Sequence, residues 1–280
     1  MEDRAQFRKQ LKENLDDIGV ETLSYDESEF WMIRSPYEDI EFFAGERQHI
    51  NTSTALPLIR GLHDGSHRKS SIMKDGITYR LPYAIHPLMV CRMLIDLHAP
   101  LSVEEEDILL ASALCHDLIE DIPFPRHGKE LITTYHLDPK VYETVKLLSK
   151  RRDFTSEEEQ EFFHQIETHK LAALVKLSDR GNNVEDLYNM SLWKVHEYVG
   201  ETRRFFLPMC EHAKEYFPEL LQTIEILQDK IVSLTQTAEI LVDRYDEREK
   251  ELLQQVQKLR EENEKLRREW KETRRTIKGE

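Results

Sequence analysis

Apolar residues recur in steps of three and four through most of residues 51 to 220, which is the spacing of amphipathic helices. Stretches that contain Gly or Pro separate these segments, and the alternation typical of strands is scarce. The segments with helical spacing are Ala55–Leu62, His86–Leu97, Glu104–Ile119, Lys140–Leu148, Ser156–Ser178, Leu192–Phe206 and Met209–Tyr216. This pattern predicts a mainly α domain in which helix packs on helix.

Residues 1–50 form a different segment, which we interpret as an N-terminal extension of that domain. Helical spacing through Phe7, Leu11 and Leu15 predicts a first helix over Arg4–Ile18. The following stretch, Glu21–Phe43, is rich in aromatic residues and contains short alternating pieces, so it predicts one or two short strands. No chemical motif occurs in these residues, and their role stays open.

The C-terminal segment, residues 221–280, has the pattern of a long coiled-coil helix. No Pro or Gly occurs from Glu219 through Lys278. Apolar residues at steps of three and four run from Ile224 to Tyr245 and resume at Leu252, with a phase slip near Arg248. The positions of this predicted seam are Ile224, Leu227, Ile231, Leu234, Ala238, Leu241, Tyr245, Leu252, Val256, Leu259, Asn263, Leu266 and Trp270.

A charged helix with a narrow apolar stripe buries that stripe only against a partner, so the seam predicts a homo-oligomer. Asn263 at a seam position is the kind of polar residue that fixes register in a two-stranded coil. The alternatives are a solvated single helix and a helix that folds back on the body of the protein.

Composition narrows the possible partners. The chain has 280 residues and a formal net charge of -15, which disfavours binding to nucleic acid through phosphates. No apolar run reaches the roughly 20 residues of a membrane span, and no signal-peptide segment is found. The three cysteines form no CxxC pair, so neither a disulfide framework nor a thiolate zinc site is indicated. We therefore expect a soluble, cytoplasmic protein without nucleic-acid or membrane partners.

A set of acids and imidazoles is the candidate chemistry. It consists of His86, His116, Asp117, Glu120, Asp121 and Asp179. On a continuous helix, the four members between His116 and Asp121 would lie at about 0°, 100°, 40° and 140°, on one face of a segment that is otherwise apolar. Burying these groups together is costly unless a cation neutralises them. Taken singly, each has an ordinary structural explanation, such as a core histidine or a local salt bridge; the combination favours a divalent-metal site.

This combination resembles the HD metal-dependent phosphohydrolase superfamily, and within it the hydrolase domain of RelA/SpoT proteins. The matching elements, in chain order over about residues 55 to 215, are Arg68-Lys69-Ser70, Pro82-Tyr83-Ala84-Ile85-His86-Pro87-Leu88, His116-Asp117-Leu118-Ile119-Glu120-Asp121, Val175-Lys176-Leu177-Ser178-Asp179-Arg180 with Asn183, Glu201-Thr202 and Phe206-Leu207-Pro208. Nothing after residue 220 resembles the synthetase domain of long family members, so the chain is similar to small alarmone hydrolases.

The resemblance implies an HD-type helical fold over residues 51–220 and a metal-dependent enzyme. Its reaction would be hydrolysis of the 3′-diphosphate of the guanosine alarmones (p)ppGpp, which yields GDP or GTP and pyrophosphate. Mn²⁺, or another divalent metal, would be the cofactor. By the same resemblance, His86, His116, Asp117 and Asp179 would hold the metal, Glu120 and Asp121 would handle the attacking water, and Arg68, Lys69 and Asn183 would contact the nucleotide.

Two departures from the family pattern leave other functions open. The segment between Lys69 and His86 is several residues longer than usual, and Asp75-Gly76 in it predicts the turn of a small hairpin at the pocket rim. Gly181-Asn182 stands where the family commonly has Leu-His. One alternative is therefore an HD phosphohydrolase that acts on another phosphorylated nucleotide such as NADPH. The other is a non-catalytic module that senses a nucleotide and signals through the coiled coil.

Overall fold

The fold, taken from a computed structural model, is mainly α, as the sequence predicts. The structure describes residues 2–19, 27–63, 66–121, 129–150, 154–187 and 190–278. Its helices and strands are α1 (Glu2–Asp17), α2 (Glu27–Arg47), α3 (Ile50–Leu62), β1 (His67–Lys74), β2 (Ile77–Pro82), α4 (Ile85–Asp96), α5 (Val103–Cys115), α6 (Leu118–Asp121), α7 (Glu130–Thr133), α8 (Pro139–Leu148), α9 (Ser156–Glu167), α10 (Lys170–Glu185), α11 (Leu192–Glu201), a π-helical turn (Thr202–Phe206), α12 (Leu207–Tyr216), a 3₁₀ turn (Pro218–Leu220) and α13 (Leu221–Lys278). The chain forms two compact units, residues 1–235 and 236–280.

Helix α5 lies at the centre of the first unit. Every residue from Asp107 to Cys115 is buried, because the helix packs against α3, α4, α8 and α10. A capping box starts the helix: Ser102 Oγ accepts the N–H of Glu105, and the Glu105 carboxylate accepts the N–H of Ser102. The buried run after this cap therefore carries His116 to the middle of the core.

The helix ends one residue before His116, where the sequence pattern predicts a continuous helix. Nδ1 of His116 donates to the carbonyl oxygen of Ala113 at 2.7 Å. This is the carbonyl that would accept the N–H of Asp117 in an uninterrupted α-helix, so the ring competes with the backbone. His116 and Asp117 form a turn, and α6 begins at Leu118. The angles of an ideal helical wheel do not apply across this break.

The N-terminal segment is helical where strands are expected. The first helix, α1, agrees with the sequence prediction, but residues 27–47 form α2. Ile33, Tyr37, Ile40 and Ala44 are buried, and their spacing of four, three and four is that of a helix face. Aromatic enrichment gave the wrong secondary structure for residues 27–43 because packing against α3 and α4 decides it. The rest of that stretch, residues 21–26, lies outside the described residues.

The short strands lie instead in the predicted hairpin. β1 and β2 pair antiparallel, and the connecting residues Asp75 and Gly76 have φ angles of 52° and 77°. Positive φ at both positions is the geometry of a tight two-residue turn, which confirms the predicted turn. Trp31 of α2 packs edge-on against Tyr79, with ring centroids 5.6 Å apart, and Lys74 Nζ lies 4.0 Å from the Trp31 ring centroid. The N-terminal extension thus supports the hairpin.

Helix α13 begins in the core of the first unit. Ile224, Leu227 and Ile231 belong to that core. Among the described residues, no helix is long and apolar enough to cross a membrane. Further along, the buried position is Val242, whereas Leu241 of the predicted seam is 43% exposed. All described side chains from Glu251 onward are exposed. Ala238 of the expected seam is buried, but the next buried residue is Val242 and not Leu241.

Candidate metal centre

Three helical elements bring the predicted metal ligands together. His86 lies in the first turn of α4, His116 and Asp117 follow α5, and Asp179 lies in the middle of α10. The two Nε2 atoms of His86 and His116 are 3.2 Å apart. Nε2 of His86 is 3.1 Å from Oδ1 of Asp179, and Nε2 of His116 is 3.1 Å from Oδ2 of Asp117. His86, His116 and Asp179 thus converge, and the Asp117 carboxylate lies beside the two imidazoles; that these four residues hold a metal remains a prediction.

The outer nitrogen of each imidazole is held by an oxygen acceptor. Nδ1 of His86 is 2.7 Å from Oδ1 of Asn182, and Nδ1 of His116 is 2.7 Å from the carbonyl oxygen of Ala113. A ring that donates through Nδ1 in its neutral form presents the lone pair of Nε2 to the centre. This is the arrangement in which histidines usually bind a metal. The donor set therefore fits a divalent cation.

The two carboxylates are also fixed from outside. The hydroxyl of Tyr83 donates to Oδ2 of Asp117 at 2.6 Å, and the Tyr83 ring packs against the buried ring of His63 at a centroid distance of 4.8 Å. Lys176 donates to Oδ2 of Asp179 at 3.1 Å, and Asn183 donates to Oδ1 of Asp179 at 2.5 Å. The carboxylates are oriented before any cation binds.

The carboxylates of the centre favour the charged form of the His116 imidazole. Burial disfavours the charged imidazole of His116, but the Asp117 and Asp179 carboxylates outweigh burial and raise its pKa to about 9. For Asp117, burial raises the pKa, but the neighbouring histidines outweigh it and hold the pKa below its ordinary value. For Asp179, burial is likewise outweighed, by Lys176 and the histidines, so its pKa is also low. A cation would take the place of the His116 proton.

We expect the metal-free protein to lose stability between pH 6.5 and pH 9. The pKa of His116 is raised from 6.5 to about 9, so its stabilising contribution is complete below the unfolded value and lost as pH rises through the folded value. A shift of this size corresponds to about 3 kcal/mol in the free energy of unfolding. Urea unfolding of chelator-treated protein at both ends of the window would measure it. His116→Gln should flatten the pH dependence, and an unchanged slope would contradict the assignment.

The hydroxyl of Tyr83 gives a second prediction. Tyr83→Phe removes the donor to Asp117, and loss of such an outer hydrogen bond typically weakens metal binding about 10–100-fold. Titration calorimetry with Mn²⁺ would measure the change. Tyr79→Phe, in the hairpin, is the matched control and should leave metal affinity unchanged. Equal affinities for the wild-type protein and Tyr83→Phe would show that the bond does not support the ligand.

The predicted water-handling pair lies directly after the His116–Asp117 turn. The Glu120 side chain is exposed, and its Oε1 accepts the backbone N–H of Lys150. Glu120 thus joins α6 to the segment that follows α8. Asp121 is the last residue of α6, and its side chain lies outside what the structure describes. The roles predicted for both residues stay predictions.

The predicted nucleotide contacts are divided between the hairpin and α10. Arg68 in β1 donates through Nε to Asp186 at 2.9 Å and through Nη2 to Oδ1 of Asn183 at 3.3 Å. Asn183 in turn donates to Asp179, so it connects Arg68 with a predicted metal ligand. Lys69 also lies in β1, but its side chain is not among those described. Their contacts with a nucleotide remain predictions.

Three supporting residues were not assigned this role from the sequence. Tyr83 and Lys176 belong to the motifs that resemble the family. Lys176 lies three residues before Asp179 on a predicted helix, so the i, i+3 spacing could have suggested it. Asn182 was noted only as a departure from the family, yet its Oδ1 contacts Nδ1 of His86.

Gly181, the other departure, is a packing residue. A Cβ at this position would lie 3.3 Å from the sulfur of Met93, so glycine allows α10 to approach α4 closely.

The similarity of this chain to known proteins is one of structure. No family model and no curated protein matches the chain. The chain is similar to a solved metazoan ortholog of SpoT, which hydrolyses ppGpp and plays a role in starvation responses. The TM-score is 0.46 and the sequence identity is 18%, over 67% of this chain and 94% of that chain.

Proposed function

We propose that this protein is a metal-dependent phosphohydrolase that removes the 3′-diphosphate of (p)ppGpp. The observation that carries the proposal is the convergence of His86, His116 and Asp179, whose ligand atoms all lie within 4.8 Å of one another. Asp117 adds a second carboxylate to this group. Nitrogen and oxygen ligands in this combination suit Mn²⁺ or a similar divalent cation.

The residues around the centre supply the other parts of a hydrolytic site. A divalent cation held by His86, His116, Asp117 and Asp179 would acidify a bound water and polarise a phosphoryl oxygen. Glu120 would accept the proton of that water, because its exposed carboxylate follows the ligand pair by only three residues. Tyr83 and Lys176 would keep the two ligand carboxylates in place during the reaction.

Positive charge beside the centre supports an anionic substrate. The chain as a whole carries a net charge of -15, so an anion must be held by local cations. Burial alone would lower the pKa of Lys176, but the Asp179 and Glu120 carboxylates raise it, so the ammonium group stays charged. Arg68, in β1 of the hairpin, has a side chain that is 10% exposed and donates to Asn183, which in turn donates to Asp179. That the anion is the 3′-diphosphate of a guanosine nucleotide is proposed because the motifs resemble those of the RelA/SpoT hydrolase domain.

The hairpin favours a second candidate substrate. Met73 and Ile77 flank its turn and are 77% and 55% exposed, so an added apolar tip stands in the segment that carries Arg68. Such a tip could select another phosphorylated nucleotide, of which NADPH is the example to test. The metal chemistry would be the same for both substrates.

Product analysis separates these functions. Purified protein is incubated with Mn²⁺ and ppGpp, and we expect GDP and pyrophosphate in equal amounts, with the 5′-diphosphate intact. A chelator should stop the reaction and added Mn²⁺ should restore it. Faster release of phosphate from NADPH would favour the second candidate. Binding of ppGpp without turnover, at any metal tested, would reject the enzyme and leave a sensing module.

A further inference from the structure

We infer that the exposed apolar row on the second unit of α13 binds the same row of a second copy of this chain, parallel and in register. The apolar row comprises Leu252, Val256, Leu259, Leu266 and Trp270, which are 45–64% exposed. Large apolar side chains at a three–four spacing on one helix face are the seam of a coiled coil. This inference is independent of the proposed function.

The heptad register of the apolar row can be counted from the last buried residues of α13. The buried positions Ala238 and Val242 differ by four, and continuing in steps of three and four from Val242 leads through Tyr245 and Glu249 to Leu252. The register then continues unbroken to Trp270, so the phase slip predicted near Arg248 is not needed. In heptad terms, Val242, Glu249, Val256, Asn263 and Trp270 occupy position a; Ala238, Tyr245, Leu252, Leu259 and Leu266 occupy position d.

The flanking charges then determine the direction of the partner. In the segment from Leu252 onward, position g holds Gln255, Glu262 and Glu269, and position e holds Leu253, Arg260, Arg267 and Arg274. In a parallel pair each g residue faces the e residue of the next heptad on the other copy. Glu262 therefore faces Arg267 of the second copy, and Glu269 faces Arg274 of the second copy. Symmetry forms each pair twice.

An antiparallel pair has the opposite charge pattern. It would place the e positions of the two copies side by side, so that Arg260, Arg267 and Arg274 would meet arginines, and it would bring Glu262 and Glu269 near glutamates or Gln255. Asn263 would face a leucine, whereas in a parallel in-register pair it faces Asn263 of the second copy and can hydrogen-bond. Charge and polarity both favour the parallel pair.

Glu249 sets the N-terminal limit of the paired segment. At position a, two copies of Glu249 would face each other in a parallel pair, and like charges in a seam are unfavourable. The paired segment therefore begins at Leu252. Glu269 at position g also lies 3.9 Å from Lys265 Nζ of its own helix, whereas the pair between Arg268 Nη2 and Glu264, 3.7 Å apart, uses positions other than e and g.

Disulfide trapping in the full-length protein tests the direction. One variant carries Val256→Cys and a second carries Thr273→Cys. Val256 and Thr273 occupy positions a and d, near opposite ends of the paired segment. The native cysteines Cys91, Cys115 and Cys210 are buried and should not interfere. Under mild oxidation each variant alone should form a covalent dimer. Cross-linking only in a mixture of the two variants would show an antiparallel pair and overturn the inference.

Charge reversal at position g tests whether a second copy of the chain binds the apolar row. Glu262→Arg combined with Glu269→Arg should weaken the dimer by at least about tenfold in Kd, measured by analytical ultracentrifugation. Glu261→Arg combined with Glu264→Arg makes the same charge change away from the seam and should have little effect. Circular dichroism confirms that each variant keeps its helix. A wild-type protein that stays monomeric, or forms trimers, at the highest soluble concentration overturns the inference.

Discussion

His116→Ala is expected to reduce metal-dependent hydrolysis by a factor of at least about 10³, because a site that loses the cation also loses the acidified water. The His116 imidazole contacts the three other predicted ligands: its Nε2 lies 3.2 Å from His86, 3.1 Å from Asp117 and 3.8 Å from Asp179. Without the imidazole, two carboxylates face a single histidine. Metal content by atomic emission and initial rates with ppGpp would measure the effect.

His164→Ala is the matched control for this substitution. His164 lies on α9, and its side chain is 55% exposed and pairs with Glu167 at 2.9 Å. It should keep full metal content and full turnover. His116→Gln, which preserves more of the side-chain volume, guards against simple unfolding: a folded His116→Gln variant without bound metal supports the assignment. Wild-type turnover by a folded, metal-free His116 variant would reject the mechanism.

Glu120→Gln is expected to lower kcat by about 10²–10⁴-fold, the usual contribution of a general base. The amide cannot accept the proton of the water, but its oxygen can still accept the N–H of Lys150, so the fold should be retained. Metal affinity should change little because Glu120 is not among the converging ligand atoms. The measurement is kcat with ppGpp, beside Mn²⁺ titration of the same sample.

Glu225→Gln on α13 is the control for loss of one exposed carboxylate. It should match the wild-type protein in both measurements. A Glu120→Gln variant that loses metal and activity together would move Glu120 from the water-handling role to the ligand set. Unchanged kcat would leave Asp121 as the candidate base, to be tested by Asp121→Asn.

The convergence of His86, His116 and Asp179 could be predicted from the sequence because each of them adjoins or follows a run of apolar helical residues. The run from Asp107 to Cys115 had to be buried, and the chemistry of His116 followed from that. The hydrogen bonds around the ligands could not be predicted in the same way. The bond from Tyr83 to Asp117 joins residues 34 apart, and only the packing of α4 against α5 determines it.

The N-terminal extension shows the limit of local patterns. Aromatic and alternating residues favoured strands in residues 21–43, but α2 is set by contacts with α3 and α4 that the segment does not contain. The hairpin turn at Asp75-Gly76 was predictable because two residues fix its geometry. The register of α13 was predictable only in part. The spacing of three and four indicated an apolar helix face, but Leu241 and Val242 are both apolar, and only the structure shows that Val242 is the buried one.

The hydrogen bonds from Arg68 through Asn183 to Asp179 have a thermodynamic consequence. If Arg68 binds a substrate phosphate, as proposed, and leaves Asp186, the hydrogen bonding of Asn183 also changes, and with it the electron density on the Asp179 carboxylate proposed to hold the metal. The affinities for nucleotide and for metal are then linked quantities. By reciprocity, the factor by which substrate changes the metal dissociation constant equals the factor by which metal changes that of the substrate.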